Sequence, residues 1–137
     1  VEAMVVGYLR EILGIRLDLA PLDQRTLATM AARAPWLLPA ERWREAATLV
    51  MLVCFALLTE RPWHRRGGVF LLAFGLWDLG YYLWLRLLLG WPPSLLTRDV
   101  LFLIPVPWVA PVLLPVTAAA GMCLCGLLLL RCRGDRA

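Results

Sequence analysis

The stretch that decides the fold is VFLLAFGLWDLGYYLWLRLLLGW, which runs from Val69 to Trp91. As an α-helix with a rise of about 1.5 Å per residue, this apolar run can cross a hydrocarbon core about 30 Å thick. Asp78 and Arg86 lie inside the run. Placing either charge at the centre of a membrane costs roughly 2.5–3.5 kcal/mol. The stretch therefore predicts a transmembrane helix with two charged side chains that need an explanation.

The composition extends this interpretation to the whole chain. Hydrophobic residues make up 61% of the 137 residues, against roughly 45–50% in soluble domains. The net charge is +4 and every basic residue is arginine. The arginines lie at the ends of apolar runs, as topology signals do, so we expect no nucleic-acid partner and a chain embedded in a lipid bilayer.

The hydropathy pattern predicts an all-α integral membrane four-helix bundle in one domain, with spans at about 1–13, 41–58, 69–90 and 108–130. The sequence starts with an apolar pattern and no methionine, so we interpret the first helix as truncated. We expect a bacterial inner membrane as the location. Arginines between the second and third spans and at the C-terminus indicate that both termini lie on the cytoplasmic side, by the positive-inside rule.

Two further helices are predicted at the outer surface. An amphipathic helix over Gln24–Ala34 follows Asp23, a good N-cap residue, and is stopped by Pro35. A short interfacial or re-entrant helix is expected over Ser94–Ile104, before the prolines of the Pro-Val-Pro sequence break regular helix.

Glycine and proline set the remaining boundaries. Gly90, followed by Pro92 and Pro93, is expected to end the third span. In the fourth span, Gly121 and Gly126 with Ala118–Ala120 form a small-residue surface that favours close helix contact.

Polar side chains inside or beside the spans form the candidate site. At the predicted depths, Glu2 and Asp78 lie near the midplane and pair with Arg10 and Arg86. The side chains expected in the outer half are Arg10, Arg86, Arg44, Glu45 and Asp99. Tyr81 or Tyr82 can supply hydroxyl donors. Two interpretations stay open: a buried salt-bridge network that fixes helix register, or a cavity for a proton, a cation or a polar headgroup. The full set is Glu2, Arg10, Arg44, Glu45, Asp78, Tyr81, Tyr82, Arg86 and Asp99.

The sequence leans against an enzyme. Ser94 has no histidine or lysine base nearby in the sequence, and no glycine-rich phosphate loop is present. The lone His64 lies in a basic loop, and the four cysteines lack zinc-like spacing. We therefore expect no catalytic residue, no metal site and no cofactor.

Four runs resemble a group of uncharacterised small integral membrane proteins of bacteria. They are EAMVVGYLR (Glu2–Arg10), REAATLVML (Arg44–Leu52), FGLWDLGYYLWLRLLLGWPPSLL (Phe74–Leu96) and DVLFLIPVPWVAPVLLPV (Asp99–Val116). The resemblance implies a four-span helical protein that lacks its extreme N-terminus here, and it implies no activity.

Two functions follow as expectations. The first is an accessory or structural subunit of a larger bacterial membrane complex, with protein partners or further copies of itself. The alternative is a small oligomeric transporter or channel that handles a proton, a cation or a polar lipid through its intramembrane Glu/Asp/Arg/Tyr cluster.

Overall fold

The computed structural model describes residues 3–5, 7–8, 32, 35–59 and 62–131. Residues 3–5 and 7–8 are helical, and most of the remaining described residues are helical too. The elements that follow are α1 (Leu37–Thr59), α2 (Trp63–Leu89), β1 (Arg98–Phe102), β2 (Trp108–Pro111) and α3 (Leu113–Arg131).

Among the described residues, two helices, α2 and α3, are long and apolar enough to cross a membrane. Only 28% of the most apolar segment of α2 is buried, and 11% of that of α3. These two helices correspond to the predicted spans 69–90 and 108–130. The predicted span 41–58 lies inside α1, whose first turns carry charged residues.

The boundaries of α2 follow from local sequence. The helix ends where predicted, because Gly90 adopts a left-handed conformation with φ 66° and its N–H donates to the Arg86 carbonyl. It begins at Trp63, so most of the basic segment expected to be a turn is helix. There the Arg66 guanidinium lies 4.8 Å from the centre of the Trp63 ring.

Helices α2 and α3 run antiparallel and touch through small residues. A Cβ added at Gly126 would lie 2.7 Å from the Gly68 carbonyl oxygen, and one added at Gly75 would lie 2.6 Å from the Ala119 carbonyl oxygen. The expected contact surface is thus used at Gly126 and Ala119. Gly121, in contrast, has open space around its Cα.

The short helix predicted over Ser94–Ile104 is wrong, because β1 forms there instead. The predicted helical class is confirmed in its coarser part, since most of the described residues are helical and the sheet has only two strands. β1 and β2 form an antiparallel hairpin in which Asp99 pairs with Ala110 and Val100 with Val109. Valine and aromatic residues in both strands favour extended backbone, and the intervening prolines make the connection. The predicted fourth span corresponds to α3, which begins at Leu113, after the hairpin.

The hairpin is held to the helices at the end where α2 stops and α3 starts. The Val112 N–H donates to the Thr97 carbonyl at 2.9 Å, and the Leu113 N–H donates to the Leu95 carbonyl at 2.8 Å. A buried apolar cluster lies beside these bonds and is formed by Ala3, Tyr82, Leu85, Trp91 and Val112. The hairpin is therefore packed against the same buried cluster as the helices.

Two of the predicted helices fall mainly outside the residues that the structure describes. The amphipathic helix over Gln24–Ala34 lies, apart from Ala32, outside the described residues, and so does most of the span 1–13.

Candidate binding cavity at the hairpin end

A cavity of about 210 Å³ lies between the start of α1, the middle of α2, the hairpin and the start of α3. Its polar lining comes from Arg44, Glu45, Asp78, Tyr81 and Tyr82. Its other lining residues are Phe74, Trp77, Val100, Leu101, Phe102, Trp108, Leu114, Pro115, Ala118 and Met122.

The first turns of α1 fasten that helix to the hairpin. Both carboxylate oxygens of Glu45 accept the Leu103 N–H, at 3.1 Å each. The Arg44 Nε donates to Glu41 Oε2 at 2.7 Å, a pair one turn apart on the same helix face. The Glu45 carboxylate therefore supplies the hydrogen-bond acceptor that a neighbouring strand would otherwise offer to the backbone just after β1.

Asp99 is a fixed and buried carboxylate. Only 2% of its surface is exposed. Its Oδ2 accepts the Tyr82 hydroxyl at 3.2 Å, and its Oδ1 accepts the Val100 N–H at 2.9 Å. These bonds satisfy the carboxylate inside the fold and orient the Tyr82 ring at the cavity wall.

Asp78 contrasts with Asp99. It lies one helical turn before Tyr82 on α2 and lines the cavity. Within the part of the chain that the structure describes, no hydrogen bond or ion pair reaches the Asp78 carboxylate. A carboxylate in an apolar helix thus lines the cavity, and none of the described residues is bonded to it.

Aromatic rings make up much of the remaining wall. Phe74 of α2 stacks on Phe102 of β1, with ring centroids 6.1 Å apart and an interplanar angle of 11°. Tyr81 meets Tyr82 edge to face, with centroids 5.1 Å apart. The faces of such rings carry negative electrostatic potential and attract cations.

The structure gathers most of the predicted site residues. Five of them, Arg44, Glu45, Asp78, Tyr81 and Tyr82, line one cavity, and Asp99 is bonded to Tyr82 behind the wall. Glu2 and Arg10 lie outside the described residues.

Arg86 does not line this cavity, and among the described residues no ion pair joins it to Asp78. The side chain is exposed, and its Nη1 donates to the carbonyl oxygens of Gly90 at 2.7 Å and of Pro92 at 2.9 Å. Arginine in a last helical turn binds the unpaired carbonyls there, which is the role that the structure gives it.

The aromatic contribution of the hairpin was not predicted. Phe102 and Trp108 face each other across the β1–β2 register and both line the cavity. The signal that could have found them is the run of alternating bulky residues on each side of Pro105 and Pro107.

The lining favours binding of a positively charged guest. Two carboxylates and one guanidinium meet the cavity, together with six aromatic side chains. Among the described residues, no group of three or more histidine, cysteine, aspartate or glutamate side chains is placed to hold a metal ion.

No protein-family model, curated protein or solved structure matches this chain. The cavity and its lining are therefore the basis for a proposed function.

Proposed function

We propose that this protein is a small integral membrane protein that binds a small cation in the cavity at the hairpin end and moves it as a transporter or channel. The observation that carries the proposal is the Asp78 carboxylate, which lines the cavity and has no partner among the described residues. A charge within a membrane helix is costly, and a bound cation offsets that cost.

The helix surfaces support a membrane location. Large apolar side chains on the outer faces of α2 and α3 are about half exposed or more, including Leu83 at 57%, Leu87 at 64% and Leu124 at 60%. A helix at the core of a soluble protein buries such residues, whereas a membrane helix turns them to lipid. The arginine pattern favours a bacterial inner membrane with both termini in the cytoplasm.

The cavity lining supports a cation rather than an anion. Asp78 and Glu45 supply two negative charges, and Arg44, the one basic side chain among the described lining residues, is paired with Glu41. Aromatic faces add attraction for positive charge that is stronger in a desolvated site. The same charge balance would repel a phosphate or carboxylate guest.

The test is a comparison of Asp78→Asn with Arg86→Gln in proteoliposomes. Uptake of labelled sodium, rubidium and tetramethylammonium is measured, with a pH-sensitive dye inside the vesicles to report protons. We expect Asp78→Asn to lose about tenfold or more of the uptake of one of these cations, because the counter-charge is gone. Arg86→Gln changes a charged side chain of the same helix that does not line the cavity, and it should retain uptake. Equal uptake by wild type and folded Asp78→Asn would refute the proposal.

A second candidate is an accessory subunit of a larger membrane complex. One observation favours it: α1 presents a large apolar outer face that includes Trp43 at 77% exposure and Leu58 at 88%. Such a face binds either lipid or another protein.

The exposed thiol of Cys54 on α1 makes this candidate testable. Crosslinking from Cys54 in native membranes should give a discrete adduct with a different protein, while the exposed Cys125 on α3 serves as the control. Crosslinks to many proteins from both positions would contradict a specific subunit role.

A further inference from the structure

A second cavity, of about 400 Å³, borders the first. It lies between the N-terminal helical segment, α1 and α2, and none of the described residues that line it is charged. The residues that line only this cavity are Ala3, Met51, Leu76, Gly80 and Trp84.

Trp77 and Tyr81 line both cavities. They are one turn apart on α2, so their side chains form a common wall between an apolar space and a space that contains carboxylates. Asp78 follows Trp77 directly and lines the polar side of this wall. A guest with a charged end and an apolar end would match the two spaces together.

The polar cavity also restricts the type of charged end. Metal cations take several oxygen ligands in a compact shell, whereas here the two carboxylates are accompanied by six aromatic side chains. An alkylated ammonium group spreads its charge over methyl groups that contact ring faces, as in aromatic cages for choline and methyl-lysine. The lining therefore suits an organic ammonium ion better than a bare metal ion.

We propose that the guest is an alkylammonium amphiphile, whose cationic head lies between Asp78, Glu45 and the aromatic rings and whose alkyl chain extends past Trp77 and Tyr81 into the apolar cavity. This inference rests on the proposed cation-binding function and names its ligand class. The chain contributes affinity because it leaves water for an apolar surrounding.

The experiment measures displacement of labelled tetramethylammonium from the protein in lipid nanodiscs by butyl-, pentyl- and hexyltrimethylammonium. Displacement reports the site alone, so partition of the competitors into lipid does not count as binding. Each added methylene should strengthen competition by up to about three- to fourfold, the value for full transfer from water.

Gly80→Leu separates the two cavities. Gly80 lines only the apolar one, and a Cβ at this position meets nothing within 4 Å, so a leucine side chain can start there and extend into that space. This variant should bind tetramethylammonium like wild type but lose the gain with chain length. Gly121→Leu, at another open glycine outside both cavities, should keep the gain.

The outcomes separate the two proposals. If tetramethylammonium binds and depends on Asp78, but chain length has no effect or an equal effect in Gly80→Leu, the amphiphile inference fails and cation binding stands. If only metal cations or protons depend on Asp78, the ammonium assignment fails in the same way. If no cation depends on Asp78, the proposed function itself fails.

Discussion

At Gly68 and Gly75, α2 lies so close to α3 that one added carbon would crowd the neighbouring backbone, whereas nearer the hairpin the same helices border a cavity. The close half is built from glycine and alanine, which let two backbones approach. The open half carries Trp77, Tyr81 and Tyr82 on α2, and these rings hold the space apart. One helix pair thus provides both a rigid contact and a binding space.

The two halves also treat polar groups differently. In the close half the Cys123 thiol lies 4.0 Å from the Leu72 carbonyl, so even this weak donor faces the neighbouring helix. In the open half Asp99 is bonded inside the fold, while Asp78 meets the cavity. Stability and binding are therefore assigned to different residues, which single substitutions can separate.

The largest effect is expected for Gly75→Leu, which attacks the close half. A side chain there would begin 2.6 Å from the Ala119 carbonyl and 2.7 Å from the Cys123 sulfur, so the helices must separate. We expect a loss of about 3 kcal/mol in unfolding free energy. Unfolding in mixed micelles with increasing SDS, followed by circular dichroism, measures it. Gly121→Leu, on the open side of α3, should change stability by less than about 0.5 kcal/mol; similar losses in both would contradict the assigned contact.

A medium effect is expected for Asp99→Ala. The change leaves the buried Tyr82 hydroxyl and Val100 N–H without their acceptor, at a cost of about 1–3 kcal/mol. The matched control is Asp78→Ala, which removes no hydrogen bond to a described residue and should cost clearly less. The same unfolding titration compares them, and a double-mutant cycle with Tyr82→Phe should show coupling only to Asp99. If Asp78→Ala is the more destabilising of the two, the distinction between the two carboxylates is wrong.

The smallest effect on stability is expected for Ala118→Leu. Ala118 is exposed to the cavity, whereas the adjacent Ala119 is 0% exposed against α2. Leucine at 118 should occupy cavity space, change stability by less than about 0.5 kcal/mol and weaken cation binding by about tenfold. Thermal unfolding and tetramethylammonium binding, each measured also for Ala119→Leu, check both statements. Retained binding in Ala118→Leu would place the guest elsewhere.

The helical part of the fold could be predicted from sequence because its signals are local. The apolar run from Val69 gave α2, Gly90 gave its end, and small residues gave the α3 contact. The hairpin was missed because its strands are short, at five and four residues, and the prolines between them resemble helix breakers as much as turn residues.

The site could be predicted only in part, for the same physical reason. Helical spacing places Asp78 and Tyr82 on one face, and topology brings Arg44 and Glu45 to the same end. The bond from Leu103 to Glu45 joins residues 58 positions apart, which no local pattern encodes. Arg86 follows Asp78 and Tyr82 at intervals of four residues, which suggests a shared helix face. Its side chain nevertheless bonds two carbonyl groups at the end of its own helix.

The Glu45–Leu103 bond also sets an order of assembly during synthesis. α1 leaves the ribosome before α2, but its carboxylate has no partner until the hairpin has been made. Among the described residues, the segment 63–131 supplies every cavity-lining residue except Arg44 and Glu45. α1 is therefore made first, but it can complete the cavity wall only after the hairpin that follows α2 has been made.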